Sequence, residues 1–349
     1  MAHSVVGIDM GSSTLRGVEV ADPGTARPTL LRYHQVSLPE GAVTNGEVVE
    51  PNTVAAALRQ LWTEGSFKSK NVVLGVGNQR VLARDLSVPK MSLTRIRESL
   101  PFAVQEMLPI PVAEALLDFY PIAEIDGENG PMVRGLLIAA VKSAVMANVE
   151  STHLAGLTTV DVDLIPFALS RVLLSRPRVG GTVALIDIGG STTSVVIAID
   201  GVPQFVRIIA TGGNDITQAL QAAAETGGEH PEETKRRLGL ATGTVAAEDK
   251  RSIEVIYKVA SEQLTSLRNT ISYFVNTRPI DTVQQIVLSG GGAHLRGLPE
   301  ALAEMTRLPV EVADPFLSIA LGKGLTLEDL RHNASAFTAA LGLALGRAA

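Results

Sequence analysis

Two aspartates in this chain stand in the same chemical setting. Asp9 closes the apolar run Val5-Val-Gly-Ile8 and is followed by Gly11, Ser12 and Ser13, then by a second apolar stretch reaching Val20. Asp187 closes Val183-Ala-Leu-Ile186 and is followed by Gly189, Gly190, Ser191 and Thr192, then by the β-branched run Thr193–Ile199. Each reads as a buried strand, a tight turn and a second strand, which is a hairpin. The glycines leave the backbone bare where a ligand can touch it, and the hydroxyls stand beside their own N–H groups. Such a turn can cradle phosphate oxygens. A carboxylate at the end of the strand can hold a hydrated Mg²⁺ against them, because that ion keeps several waters and needs few carboxylates. Asp9 and Asp187 are therefore the candidate metal-holding and catalytic pair.

A third glycine turn, Gly290-Gly291-Gly292, follows the apolar strand Ile286–Ser289 and precedes a helix that Pro299 can start. Two copies of one hairpin, each opening half of the chain, predict two like-folded halves facing each other across a cleft.

These motifs need elements to hold them. In the first half the spacing predicts a third strand at Thr29–Leu38, a helix capped by Asn52 with Val54, Leu58, Leu61 and Trp62 on one face, and a buried strand at Asn71–Gly77. From Arg80 the pattern changes. A strand at Val81–Val88, a helix capped by Ser92, strands at Leu116–Ile125 and Val133–Val141, and a helix capped by Ser143 give the order βαββα. Farther on, Ile253, Ile256, Ala260, Leu264, Leu267, Ile271 and Phe274 recur at spacings of three and four, the core stripe of a long helix. Val310–Val312 reads as an edge strand.

Composition sets bounds on function. With 349 residues the chain has room for two or three domains. A net charge of −6 offers no large basic surface, which argues against nucleic acid. There is no cysteine, so disulfides and cysteine nucleophiles are excluded and a reducing cytoplasm is expected. No signal-peptide pattern and no bilayer-length apolar run is read, so direct membrane insertion is not expected.

The two hairpins and the glycine turn together resemble the actin-like ATPase superfamily. The order of motifs along nearly the whole chain is most similar to the PilM family of type IV pilus assembly, through Gly7-Ile-Asp-Met-Gly-Ser-Ser13, Leu136–Lys142, Asp161-Val-Asp163, Thr211-Gly-Gly-Asn-Asp215 and Asp314-Pro-Phe316. The resemblance implies an α/β fold: an actin-like (ribonuclease H-like) duplicated core with a nucleotide cleft and a small βαββα inserted subdomain in the first half. It implies a first core over 1–79 and 156–182, an insertion over 80–155 that binds a partner, a second core over 183–217 and 251–325, a helical lobe over 218–250 and an interdomain helix within 326–349. It further implies ATP or ADP with Mg²⁺ as cofactors. The metal would sit at Asp9 and Asp187. The nucleotide would contact Gly11, Ser12, Ser13, Arg16, Gly189, Gly190, Ser191, Thr192, Gly212, Gly213, Glu232, Lys235, Gly290, Gly291 and Gly292. Arg16 replaces the usual lysine. Isoleucine at 165 fills the place where related hydrolases carry a water-orienting Glu or Gln, with Asp163 two residues earlier as the alternative carboxylate, so slow or absent hydrolysis is expected. The implied role is a cytoplasmic scaffold at the inner face of the cell membrane. It would join the pilus assembly platform by docking the N-terminal tail of a PilN-like inner-membrane protein, with self-association as a further property. The alternatives are an FtsA-like polymerising division protein and a small-molecule kinase of the same fold.

Overall fold

The computed structural model describes residues 4–346 apart from 129, 224–228, 241–245, 279–280, 327, 329 and 331–333. Parts of the helical lobe expected over 218–250 and of the C-terminal segment expected from 326 lie outside the described residues.

The first hairpin is β1 (Ser4–Met10) and β2 (Thr14–Ala21), with β3 (Thr29–Ser37) antiparallel to β2. A two-residue pair, β4 (Val43–Thr44) and β5 (Glu47–Val48), leads into helix α1 (Pro51–Glu64). That helix starts two residues earlier than an Asn52 cap would set it. Glu50 is the N-cap and Pro51 takes the first turn, where its fixed φ and missing N–H cost nothing. Strand β6 (Asn71–Val76) then joins β1 in parallel.

The insertion runs as β7 (Val81–Pro89), α2 (Leu93–Ala103), β8 (Ala115–Gly127), β9 (Gly130–Val141) and α3 (Lys142–Leu154), in the expected order. Ser92 caps α2 as expected, accepting the Arg95 N–H. Ser143 does not cap α3, because the chain turns into the helix at Lys142 directly after β9. Helix α3, the last element of that order, packs its Ala147 and Val149 against the first core.

Strand β10 (Thr158–Leu164) adds to β6, and helix α4 (Ile165–Leu173) crosses toward the second half. There the plan repeats: β11 (Thr182–Ile188), β12 (Thr193–Ile199) and β13 (Val202–Ile209), then helices α5 (Gly213–Ala223), α6 (Pro231–Leu238) and α7 (Lys250–Thr277). Strand β14 (Gln285–Ser289), helix α8 (Leu298–Thr306) and β15 (Val310–Val312) complete it. The two large sheets read β10-β6-β1-β2-β3-β16 and β13-β12-β11-β14-β15, where β16 is Ala320–Leu321. Three antiparallel strands followed by two parallel ones occur in both, which is the duplication the paired hairpins predicted. The chain returns to the first core earlier than residue 326, since β16 pairs with β3 and Phe316 is buried in the first core.

Each sheet buries both faces, and the apolar runs are accordingly continuous rather than alternating. Helix α4 and the C-terminal helix (Thr338–Ala344) fill the space between the halves. They approach closely because Gly342 faces the Ala168 backbone, where a β-carbon would collide with the carbonyl. Gly7 of β1 meets the Ala340 carbonyl in the same way. In the inserted sheet, ordered β7-β9-β8, period-2 alternation serves two different neighbours. Val88, Phe119, Val133 and Leu137 pack under α2. Val81, Tyr120, Leu136 and Ile138 instead join Leu185, Val196 and Val206 of the second core and Phe167 of α4.

Candidate nucleotide-binding site

The two hairpin turns are built alike. Gly11 N–H donates to the Thr14 carbonyl at 3.0 Å, and Gly189 N–H donates to the Thr192 carbonyl at 2.9 Å. A β-carbon on either glycine would press on the same carbonyl, at 2.9 Å and 3.0 Å, so a side chain is excluded from both turns by the same contact. Ser12, Ser13, Ser191 and Thr192 follow at the tips.

Behind the tips stand the carboxylates. Asp9 pairs in register with Arg16 across the hairpin, and Arg16 Nη1 lies 3.4 Å from Asp9 Oδ2. Arg16 therefore faces the candidate metal carboxylate, a contact that the expected phosphate role did not foresee. Burial raises the Asp9 carboxyl above its ordinary value, with the Arg16 charge and hydrogen bond acting against it. Asp187 is pushed up to about 7 by burial; a hydrogen bond from Ser289 opposes this, the Asp9 charge adds to it and Arg16 opposes it. The charge of Asp9 disfavours that of Asp187, and a divalent cation would relieve the repulsion. Among the described residues no group of three or more His, Cys, Asp or Glu is placed to hold a metal by itself. That suits Mg²⁺, which would take its remaining ligands from water and phosphate. Arg16 Nε and Thr211 Oγ1 are buried without hydrogen-bond partners, the first a donor and the second a hydroxyl that an anion could satisfy. The residues fit a magnesium nucleotide.

The Gly212–Gly213 turn is zipped onto the second hairpin. Gly213 N–H donates to the Gly189 carbonyl at 2.9 Å, and Asn214 N–H to the Gly190 carbonyl at 2.8 Å. Asp215 accepts the Gly212 N–H at 2.6 Å and so performs the helix-capping role read from the sequence. Lys235 Nζ reaches the Gly213 carbonyl at 3.1 Å, Thr217 at 2.9 Å and Glu232 at 2.6 Å. Against the upward push of burial, hydrogen bonds from Lys235 and Thr217 hold the Glu232 carboxyl below its usual range. The Glu232–Lys235 pair is thus locked onto the start of α5. Gly290, at φ +83°, and Gly292 sit against Ile188 at the end of β11, while Gly291 faces open space. His294 beyond them bonds Ser335 at 2.7 Å.

Asp163 stands apart. It is 2% exposed, receives Arg171 Nη2 at 2.7 Å and the Leu164 N–H at 2.8 Å, and lies on β10 with β6 between it and β1. Arg171 also donates to the Gly342 carbonyl, so this ion pair ties α4 to the C-terminal helix. A carboxylate so engaged has a structural partner in place of a water. Ile165 packs onto β6, within about van der Waals contact of Gly75 and Gly77.

Three further contributors were not among the candidate site residues. Ser289 pairs in register with Asp187, Thr217 links Glu232 to Lys235, and Asn214 reaches Ser12. Of these, Ser289 ends a strand beside a glycine turn and Asn214 lies within the Thr211–Asp215 stretch, whereas Thr217 carried no signal.

A family model described as Type IV pilus assembly protein PilM matches residues 7–348. The solved PilM-PilN type IV pilus biogenesis complex contains a chain 28% identical to this one, with a TM-score of 0.83 over 99% of this chain and 98% of that chain. The ethanolamine utilization protein EutJ from Carboxydothermus hydrogenoformans shares the fold at 16% identity and a TM-score of 0.57, over 99% and 90% of the two chains. The cell division protein FtsA of Bacillus subtilis (strain 168) is 27% identical over 208 residues, 52% of this chain and 45% of that protein. This match spans less than half of that relative's length. With its duplicated actin-like core and a family match over nearly its whole length, the chain belongs to the PilM family of type IV pilus assembly proteins.

Proposed function

We propose that this chain is a nucleotide-binding scaffold of the pilus assembly platform. It binds Mg-ATP or Mg-ADP between its halves and docks the N-terminal tail of a PilN-like inner-membrane protein, which holds it at the cytoplasmic face. The observation that carries the nucleotide reading is the facing of Asp9 and Asp187 behind two identically built glycine turns. When bound, Mg²⁺ would neutralise phosphate charge. Asp9 and Asp187 would hold it, the turn N–H groups and hydroxyls of Ser12, Ser13, Ser191 and Thr192 would orient phosphates, and Glu232, Lys235 and the Gly290–Gly292 turn would border the nucleoside.

Hydrolysis is slow or absent in this reading. Ile165 cannot orient water, and Asp163 is committed to Arg171. Turnover above about one per second, an ordinary enzymatic rate, would refute that part.

The inserted sheet supports the docking reading. Its β7 edge lies against β13, with Asp85 bonded to Arg278 of the second half, whereas β8 is the opposite edge strand. Beside β8 is a cavity of about 250 Å³ lined by Met91, Leu93, Ile96, Ile122 and Val133 among others. An extended tail can add to such an edge through backbone bonds, with apolar side chains seated alongside. Among the described residues no helix is long and apolar enough to cross a membrane, which is compatible with attachment through a protein tail. Pull-down by an immobilised PilN-like tail peptide, with and without Mg-ATP, tests the proposal. Retention of the chain is the expected result, and failure to bind under both conditions would overturn the docking role.

A further inference from the structure

Asn214 lies outside both phosphate hairpins, yet it occupies the point where they meet. Its backbone N–H is bonded to the Gly190 carbonyl at 2.8 Å, which fixes it to the second hairpin. From there its side-chain Nδ2 crosses the cleft and donates to Ser12 Oγ, at the tip of the first hairpin, at 3.2 Å. A β-carbon on Gly190 would sit 2.9 Å from Ser12 Oγ and 3.2 Å from Asn214 Nδ2. Glycine at 190 thus leaves one small gap bordered by both halves, and Asn214 and Ser12 line it.

The donor inventory of that gap is specific. An amide carries two N–H donors, and one is used on Ser12. The Ser12 hydroxyl accepts that bond and keeps its own hydrogen to donate. Two donors from opposite halves therefore converge. The carboxylates Asp9 and Asp187 stand behind them at the strand ends, and the Glu232–Lys235 pair lies on the helical side beyond Gly213.

We infer that Asn214 is a specificity-determining residue for the terminal phosphate of a nucleoside triphosphate. This rests on the reading of the cleft as a nucleotide site. The amide and the Ser12 hydroxyl grip the outermost phosphate from two sides, joining the halves through it. A diphosphate lacks that outermost phosphate and leaves the direct Asn214–Ser12 bond in place. The chain consequently distinguishes triphosphate from diphosphate by a contact made at Asn214, without needing hydrolysis.

Two variants separate this role from a merely structural one. Asn214→Ala removes the donor. Asn214→Asp keeps the size of the side chain and can still accept a bond from Ser12, so the link between hairpins survives in the ligand-free protein, while a negative charge now faces phosphate. Calorimetric titration of the full chain with Mg-ATP and with Mg-ADP is the test, and ligand-free thermal unfolding checks the fold. Asn214→Ala should lower ATP affinity about tenfold, and Asn214→Asp by up to about a hundredfold, the range for losing a hydrogen bond to a charged group. ADP affinity should stay within about twofold, and the Asn214→Asp unfolding midpoint should match that of the wild type. Equal losses for ATP and ADP, or no loss for either, would overturn the inference while leaving the nucleotide cleft intact. A wild-type chain that bound neither nucleotide would overturn both.

Discussion

At the scale of single residues, the carboxylates of the cleft set a pH dependence of unusual sign. Asp187 holds its proton up to about pH 7 in the folded chain, against an ordinary value of 3.8, and Asp9 is raised as well. The folded state therefore binds protons that the unfolded chain has released. The stability from this source is fully present below the ordinary carboxylate value and is lost as pH rises through about 7. In ligand-free protein the thermal unfolding midpoint should fall across that window, and Asp187→Asn should flatten the decline. Metal competes with the same proton, so Mg-nucleotide affinity should rise over the same interval in calorimetry. Asp9→Ala and Asp187→Ala should each weaken the magnesium-dependent part of binding by about tenfold or more, in line with the loss of a charged ligand. If neither does, the metal lies elsewhere. These aspartates were legible in the sequence because their chemistry is local: carboxylate, glycine and hydroxyl follow one another along a single hairpin. The contacts of Asn214 and Thr217 were not, although Asn214 stands in the Thr211–Asp215 stretch, since each acts by reaching a segment distant along the chain, and no spacing encodes that.

At the scale of elements, the crossing of α4 with the C-terminal helix rests on two features that can be broken one at a time. Arg171 and Asp163 form an ion pair whose side chains are 10% and 2% exposed. Arg171→Met would leave Asp163 buried without its cation, and denaturant unfolding should show a loss of about 3–5 kcal/mol. Gly342→Ala would drive a methyl into the Ala168 carbonyl, at a cost of about 1–3 kcal/mol from overpacking. If Gly342→Ala left stability unchanged, the helices would have room that the packing denies them. The strands of both cores follow directly from their continuous apolar runs, and α7 from its three-and-four spacing. Helix starts were less legible. At α1 proline outcompetes an asparagine cap, and at α3 the cap position falls on Val141, whose side chain cannot accept a hydrogen bond. The placement of α3 against the first core was also hidden, because an amphipathic face does not name its neighbour.

At the scale of the whole molecule, the inserted unit is less separate than its sequence pattern suggests. Its sheet shares a hydrophobic cluster with β11, β12, β13 and α4, stacks Tyr120 on Phe167 with ring centroids 4.6 Å apart, and bonds Asp85 to Arg278. Deleting residues 80–155 would uncover that cluster, so the shortened chain should show a markedly lower unfolding midpoint. Substitution at the cavity beside β8, such as Met91→Lys, is the cleaner probe of docking and should weaken tail-peptide capture while leaving Mg-ATP affinity unchanged. The same sheet rests on α4 with one part and on β13 with another. If the halves rotate about their crossing helices, the sheet must slip along one of these two supports. Such a turn would carry motion at the cleft to the outer surface of the insertion, although the two share no residue. Because the chain has no cysteine, a pair introduced at Ile125 and in β15 would carry spin labels at those two positions alone. The separation between the labels should change on adding Mg-ATP, and an unchanged separation would show that the insertion does not follow the cleft.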